Sequence, residues 1–363
     1  MSYRMNRSSS SSNSGTNRVL ELTLNEILAV IKPAEEDVTA RTRVIDELKA
    51  VVNQSATEYS SFRGATVIPF GSYISNLYTR WGDLDISIQI QDSSRCSTAL
   101  RNLHEAVRRR GHTFSITKFI PNARVPILVV ESNNHNNISC DISISNYAGI
   151  IKSRFLDWVA KIDDRFRDMV LLVKEWAKFQ GINSSRDGTF TSYALCLLVI
   201  YHFQTCEPPI LPPLKEMHNG EIVRGRANFK YLKDVQNKMT ANVEKFKRKR
   251  LTNTSSLSEL FVSFFQKFSR IDLSNSNYFC TYTGKWEERE ASFLTLFEIS
   301  PLYIKDPFAR NENAARAVCD TSKISEAFRK TYSMLISASG RDRLSLISNL
   351  VRPEVRSKII PRD

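Results

Sequence analysis

The stretch FGSYISNLYTRWGDLDISIQI, Phe70 to Ile90, holds a Gly-Ser pair and then two aspartates one residue apart. Carboxylates bind hard cations, and two on one side of a strand repel unless a cation or solvent lies between them. The alternation predicts a strand at Leu84–Ile90, with Leu84, Ile86, Ile88 and Ile90 on one face and Asp83, Asp85, Ser87 and Gln89 on the other. Taken alone, D-x-D there is the pattern of a solvent-facing edge strand. A second segment, ISCDISIS, repeats the design, since Cys140, Ile142 and Ile144 alternate with Ser139, Asp141 and Ser143. If the two strands are neighbours, Asp83, Asp85 and Asp141 converge. Three converging carboxylates need counter-charge, which hard divalent cations (Mg²⁺ or Mn²⁺) supply. Two such ions about 3.5–4 Å apart activate an attacking hydroxyl and stabilise a leaving phosphate.

The Gly71-Ser72 pair fits a phosphate cradle. Gly71 would let the backbone approach closely, and Ser72 would cap a helix in YISNLY whose N–H groups point at an anion. An ordinary capped strand-to-helix turn has the same pair. G-S, then D-x-D eleven residues after Ser72, then a distant strand aspartate together point to catalysis. Lys174 and Lys178 in VLLVKEWAKFQ are four apart and share a helix face, suited to gripping a triphosphate or to plain solvation.

The elements that must position these groups follow from the pattern. The 363 residues, 42% hydrophobic, are enough for two domains. Helical spacing over Glu21–Val52 breaks at Pro33. Strands are expected at Ala65–Pro69, Leu84–Ile90, Val125–Val130 and Ile138–Ile144, a helix at Thr98–Arg110, and a hairpin loop in ESNNHNN, residues 131–137. After Asn146 long helical patterns take over and strand signals nearly vanish. The layout is a small α/β unit inserted into a larger helical one. A net charge of +13 favours polyanions, nucleic acid first. No apolar run is long enough to span a membrane and no signal peptide is visible, so an intracellular protein is expected. Six scattered cysteines without a C-x-x-C pair argue against a structural zinc.

PFGSYISNLYTRWGDLDISI with CDISISN resembles the polymerase-β-like nucleotidyltransferases, specifically the noncanonical poly(A) polymerase branch and its plant terminal uridylyltransferases that tail small RNAs. The likeness runs from about Leu20 to Pro353. It implies an α+β chain: a nucleotidyltransferase palm of mixed sheet and flanking helices, a mainly helical central domain, and a nucleotide in the cleft between them. The expected division is 1–17 a disordered Ser-rich tail, 18–56 N-terminal helices packing with the central domain, 57–146 the catalytic domain, 147–350 the central (PAP-associated) domain with an insertion at about 207–255, and 351–363 a tail.

By the same resemblance Asp83, Asp85 and Asp141 are catalytic ligands of two Mg²⁺ or Mn²⁺ ions. Gly71, Ser72, Lys174, Lys178 and Ser192 serve phosphates, Asn146 the ribose and Tyr193 the base. YIKDPFARNENAARAV corresponds to the family's nucleotide recognition motif, typically I-E-D-P-F-E. It retains Ile304, Asp306, Pro307, Phe308 and Asn313, but Lys305 and Ala309 replace the two glutamates, and Glu312 stands where some uridylyltransferases carry a base-reading histidine. Asp306, Glu312 and Asn313 are the remaining base-edge candidates. The implied activity is addition of UMP from UTP to single-stranded RNA 3′ ends by a monomer in nucleus and cytoplasm, with RNA-silencing proteins as targeting partners and no membrane. Its rivals are a poly(A) polymerase and a catalytically weak RNA-binding paralogue. The lysine-rich run Lys245–Arg250 is expected to contact RNA or to act as an import signal.

Overall fold

The computed structural model describes residues 10–217, 229–249, 251–270, 277–288, 300–309 and 312–360, and only the backbone of 10–17 and 229–236. Two helices open the chain, α1 (Ser10–Ile31) and α2 (Glu35–Ser55), parted at Pro33 as expected. α1 begins inside the segment expected to be a disordered tail, which corrects that expectation for 10–17; residues 1–9 lie outside the described residues. The buried stripe Leu20, Leu24, Ile27, Leu28 and Ile31 anchors the helix, and extension by further turns costs far less than starting one.

The chain forms two compact units, one over 32–161 and the other combining α1 with most of the chain after 161. The first is built on five strands: β1 (Thr66–Phe70), β2 (Leu84–Gln89), β3 (Phe114–Ile120), β4 (Ile127–Ser132) and β5 (Ser139–Ile144). Their spatial order is β1-β2-β5-β4-β3, with β2 and β5 parallel and the other pairs antiparallel. A short helix α3 (Gly71–Ile74) follows β1, α4 (Cys96–Arg109) follows β2, and α5 (Tyr147–Ala160) follows β5. The four expected strands, the α4 helix and the β4–β5 hairpin are present to within about two residues. β3 was not foreseen. It is an edge strand whose register shifts between Ile116 and Lys118, which blurs the alternation that would have announced it.

Two placements differ from expectation. α2 belongs to the α/β unit rather than to the central domain, because Val44, Ile45, Leu48, Val51 and Val52 join Leu84, Ile86, Ile88, Leu100, Leu103 and Ile142 in one apolar core. α5 also belongs here rather than opening the central domain, with Ser153 reaching the start of α3.

In the helical unit, α6 (Asp164–Phe179) and α7 (Ser192–Gln204) are followed by α8 (Leu214–Met217), α9 (Phe229–Lys249) and α10 (Leu257–Arg270). A small sheet, β6 (Asn277–Cys280), β7 (Lys285–Glu288) and β8 (Ile304–Lys305), precedes α11 (Ser322–Ile336), α12 (Arg343–Leu350) and α13 (Pro353–Ile359). The sheet corrects the expectation that strands all but end at Asn146. α13 corrects the expected tail over 351–360, since Val351 and Val355 are buried, while 361–363 lie outside the described residues. Within the expected insertion, 218–228 and Arg250 lie outside them too. α7 is apolar all round and correspondingly buried from Ala194 to Gln204. Among the described residues no helix is long and apolar enough to cross a membrane.

His202 sits in this core, 5.6 Å centre to centre from the Phe264 ring, with Nε2 3.1 Å from the Leu260 carbonyl. Burial, reinforced by the Lys267 ammonium, lowers its pKa from 6.5 to about 3. Because the folded pKa is depressed, the unfolded chain takes up a proton that the folded one refuses, so stability is lost as pH falls below 6.5. The expected slope is about 1.4 kcal/mol per pH unit. Thermal melts at pH 7 and pH 5 should show a smaller drop for His202→Gln than for wild type. Equal drops would remove His202 from the acid sensitivity.

Candidate active site

β2 and β5 are direct neighbours, paired parallel with Asp85 opposite Asp141. β2 is interior, so the edge-strand alternative is excluded, and Ser87 and Gln89 on its carboxylate face are buried. Ser87 Oγ accepts from Gln89 Nε2 at 2.6 Å and from the Asn146 N–H at 2.8 Å, which ties the end of β5 to β2. Asp83 stands one residue before β2 and is exposed, while Asp85 and Asp141 are half-buried. Burial first, then the charge of Asp83, raises the Asp141 carboxyl above its usual range, and Lys118 opposes this. The same burial and three aspartate charges push the Cys140 thiol to about 12. Among the described residues no three such side chains already stand as a metal cage. The three aspartates share one end of the sheet and repel across it.

Gly71 is there for Asp85. It follows Phe70, the register partner of Asp85, and adopts φ +67°. A Cβ at this position would lie 1.8 Å from Asp85 Oδ2. Its N–H donates to Ser153 Oγ at 2.6 Å, so it is committed to α5 rather than to an anion. Ser72 is not the cap expected of it, because Phe70 occupies that position and the helix spans only four residues. Asn146 caps α5, its Oδ1 accepting from the Gly149 N–H at 3.0 Å.

Two residues of this unit escaped the sequence reading. The rung Asp85–Asp141–Val129–Lys118 runs across the sheet and puts the exposed Lys118 on the carboxylate face. Lys118 was hidden because β3 was. Arg41 is buried in α2, and its Nη2 donates to the carbonyls of Arg80 at 3.0 Å and Gly82 at 2.7 Å, holding the loop that leads to Asp83. The signal was available: an arginine in register with the apolar stripe Val44, Ile45 and Leu48.

In the helical unit, Lys174 is buried in α6, which excludes a plain solvated role. Its ammonium opposes the burial that raises the Cys196 thiol of α7 to about 11. Lys178 is half-buried one turn on. Ser192 exchanges hydrogen bonds with the Asn183 amide at 3.3 and 3.4 Å. Tyr193 donates its hydroxyl to Asp306 Oδ1 at 3.4 Å. Burial, then the charge of Asp306 and this bond, hold the phenol well above its ordinary pKa. Asp306 Oδ1 also accepts from the Phe308 N–H at 2.9 Å, and the Asp306 N–H donates to the Glu312 carbonyl at 2.9 Å. Glu312 pairs with Arg316 at 3.3 Å. Asn313 departs from expectation. Its Oδ1 accepts from the N–H groups of Ile304 and Ala315, and its Nδ2 donates to Leu302 O and Ser300 Oγ, so its amide staples the loop rather than facing a base.

The profile of the family "Poly(A) RNA polymerase, mitochondrial-like, central palm domain" matches residues 20–161. Protein HESO1 of Arabidopsis thaliana is 44% identical over 90% of this chain. The chain belongs to the noncanonical poly(A) polymerase branch of the polymerase-β-like nucleotidyltransferases. Terminal uridylyltransferase cid1 of Schizosaccharomyces pombe is 29% identical over 52% of the chain, and Poly(A) RNA polymerase cid11 of that yeast 26% over 87%. The chain spans 66% of HESO1, 63% of cid11 and 46% of cid1. The fold is that of this family. The crystal structure of the Cid1 poly(U) polymerase superposes with a TM-score of 0.68 at 24% identity, covering 91% of this chain and 96% of that one. The mtPAP complex with UTP gives 0.72 at 22%, covering 100% and 78%.

Proposed function

We propose that the chain is a template-independent RNA 3′-terminal nucleotidyltransferase that transfers UMP from UTP. One observation carries it: two interior, parallel strands of a polymerase-β-like palm bring Asp85 and Asp141 into register, with Gly71 cleared of a side chain to admit the Asp85 carboxylate. In the reaction the RNA 3′-hydroxyl oxygen bonds to the α-phosphorus of UTP, the hydroxyl proton leaves, and the bond to the pyrophosphate oxygen breaks.

Asp83, Asp85 and Asp141 fit divalent cations. They offer only hard oxygen donors, and Asp141 is raised first by burial and then by the charge of Asp83, a penalty on the charged form that a cation would relieve. Mg²⁺ or Mn²⁺ held there would supply activation of the hydroxyl and neutralisation of phosphate charge. Lys174 and Lys178 supply positive charge suited to a triphosphate. Tyr193 offers a stacking face, which gives affinity without base choice. Tailing of small RNAs or mRNAs is the setting that this chemistry suits.

Base choice must then come from polar groups at the base edge, since a site that hydrogen-bonds an edge rejects the wrong partner far more strongly than shape does. Asn313 is committed to its loop and the buried Asp306 to Tyr193 and Phe308, so the half-buried Glu312 is the better placed of the candidates, with Lys305 and Ala309 in place of two acidic residues. UTP should therefore be preferred over ATP, by a margin that Ala309→Glu widens. Competition assays of kcat/KM decide. If ATP is the better substrate, the chain is a poly(A) polymerase, the second activity named among its relatives.

A further inference from the structure

The loop 79–83, which carries the first aspartate, is held from below. Arg41, 2% exposed, donates to the carbonyls of Arg80 and Gly82 and, through Nη1, to the Asp37 carbonyl at 3.1 Å. Its guanidinium carbon lies 5.0 Å from the centre of the Tyr78 ring, and Arg80 is tied to Asp37 at 3.3 Å. The two carbonyls gripped by Arg41 belong to the neighbours of Trp81. The backbone on both sides of that indole is thus fixed.

The indole itself is 38% exposed, whereas the other large aromatics among the described residues are buried or half-buried. The Arg80 guanidinium lies 5.9 Å from its centre. An exposed aromatic beside a cation, on a rigid support, has the composition of a stacking platform for nucleobases. Two residues of chain set the Cα atoms of Trp81 and Asp83 within about 7 Å of each other. Trp81 and the first aspartate thus stand on one short, braced loop.

We propose that Trp81 stacks a nucleobase at the 3′ end of the acceptor RNA, a role that presupposes RNA 3′-end transfer at Asp83, Asp85 and Asp141. The 3′-hydroxyl must reach those carboxylates, so the stacked base is the terminal one or its neighbour. Stacking tolerates any base, which suits an enzyme that extends ends of varied sequence. Arg41 is the positioning residue, keeping the indole and Asp83 at a fixed separation.

The test uses the full chain as wild type, Trp81→Ala and Trp81→Phe, with a single-stranded oligoribonucleotide as probe. Steady-state kinetics with RNA varied at saturating UTP, then UTP varied at saturating RNA, are paired with fluorescence anisotropy of labelled RNA. Trp81→Ala should raise the RNA KM and Kd about tenfold, while Trp81→Phe, which keeps a stacking face, stays within about threefold of wild type. The KM for UTP should not follow. Unchanged RNA values in Trp81→Ala, or a rise confined to the UTP KM, would overturn the proposal, as would a wild type that binds no RNA. If the wild type binds RNA but adds no nucleotide, transfer fails as the function, and the anisotropy values alone still decide whether Trp81 stacks. Equal thermal midpoints for the three proteins exclude a folding defect.

Discussion

Gly71→Ala should silence nucleotide addition as thoroughly as loss of Asp85 itself. The new Cβ would sit 1.8 Å from Asp85 Oδ2, so the carboxylate must leave its place. The backbone is also at φ +67°, where an L-residue costs about 1–2 kcal/mol, an amount that a folded domain survives. The prediction is a loss of kcat/KM of at least about a thousandfold with a thermal midpoint only modestly lowered, because displacing such a ligand removes several kcal/mol of transition-state stabilisation. Activity within about tenfold of wild type would show that Asp85 can work from elsewhere.

The double replacement Asp83→Ala and Asp85→Ala separates catalysis from stability. Activity should vanish, because two of the three oxygen donors for divalent ions are gone. Stability in the absence of metal should hold or rise, since the charge of Asp83 is one cause of the raised Asp141 carboxyl and its removal relieves repulsion. A melt that falls by many degrees would mean that the aspartates support the fold rather than the chemistry.

The catalytic carboxylates were legible because strand alternation is a local signal. The residues flanking Asp85 and Asp141 are apolar at every second position, and two strands of one design pair readily in one sheet. Pro33 likewise marked the break between α1 and α2. The misses arose where partners distant in sequence decide. Asn313 carries a motif position, yet only the folded loop shows its amide saturated by Ile304, Ala315, Leu302 and Ser300. Gly71 was expected to admit a phosphate, whereas the strand register makes it admit Asp85. α2 was assigned to the wrong unit because an amphipathic stripe announces burial without naming what covers it. Lys118 stayed unseen because a register shift in an edge strand erased the period that would have revealed it.

The most direct measurement is extension of a 5′-labelled single-stranded RNA by the full chain with Mg²⁺, each of the four ribonucleoside triphosphates being offered singly. A ladder with UTP, a weaker one with ATP and none from the Asp83→Ala, Asp85→Ala protein is the predicted result. No extension with any nucleotide, with Mg²⁺ or with Mn²⁺, would contradict the assignment of Asp83, Asp85 and Asp141 as the centre of a working RNA nucleotidyltransferase.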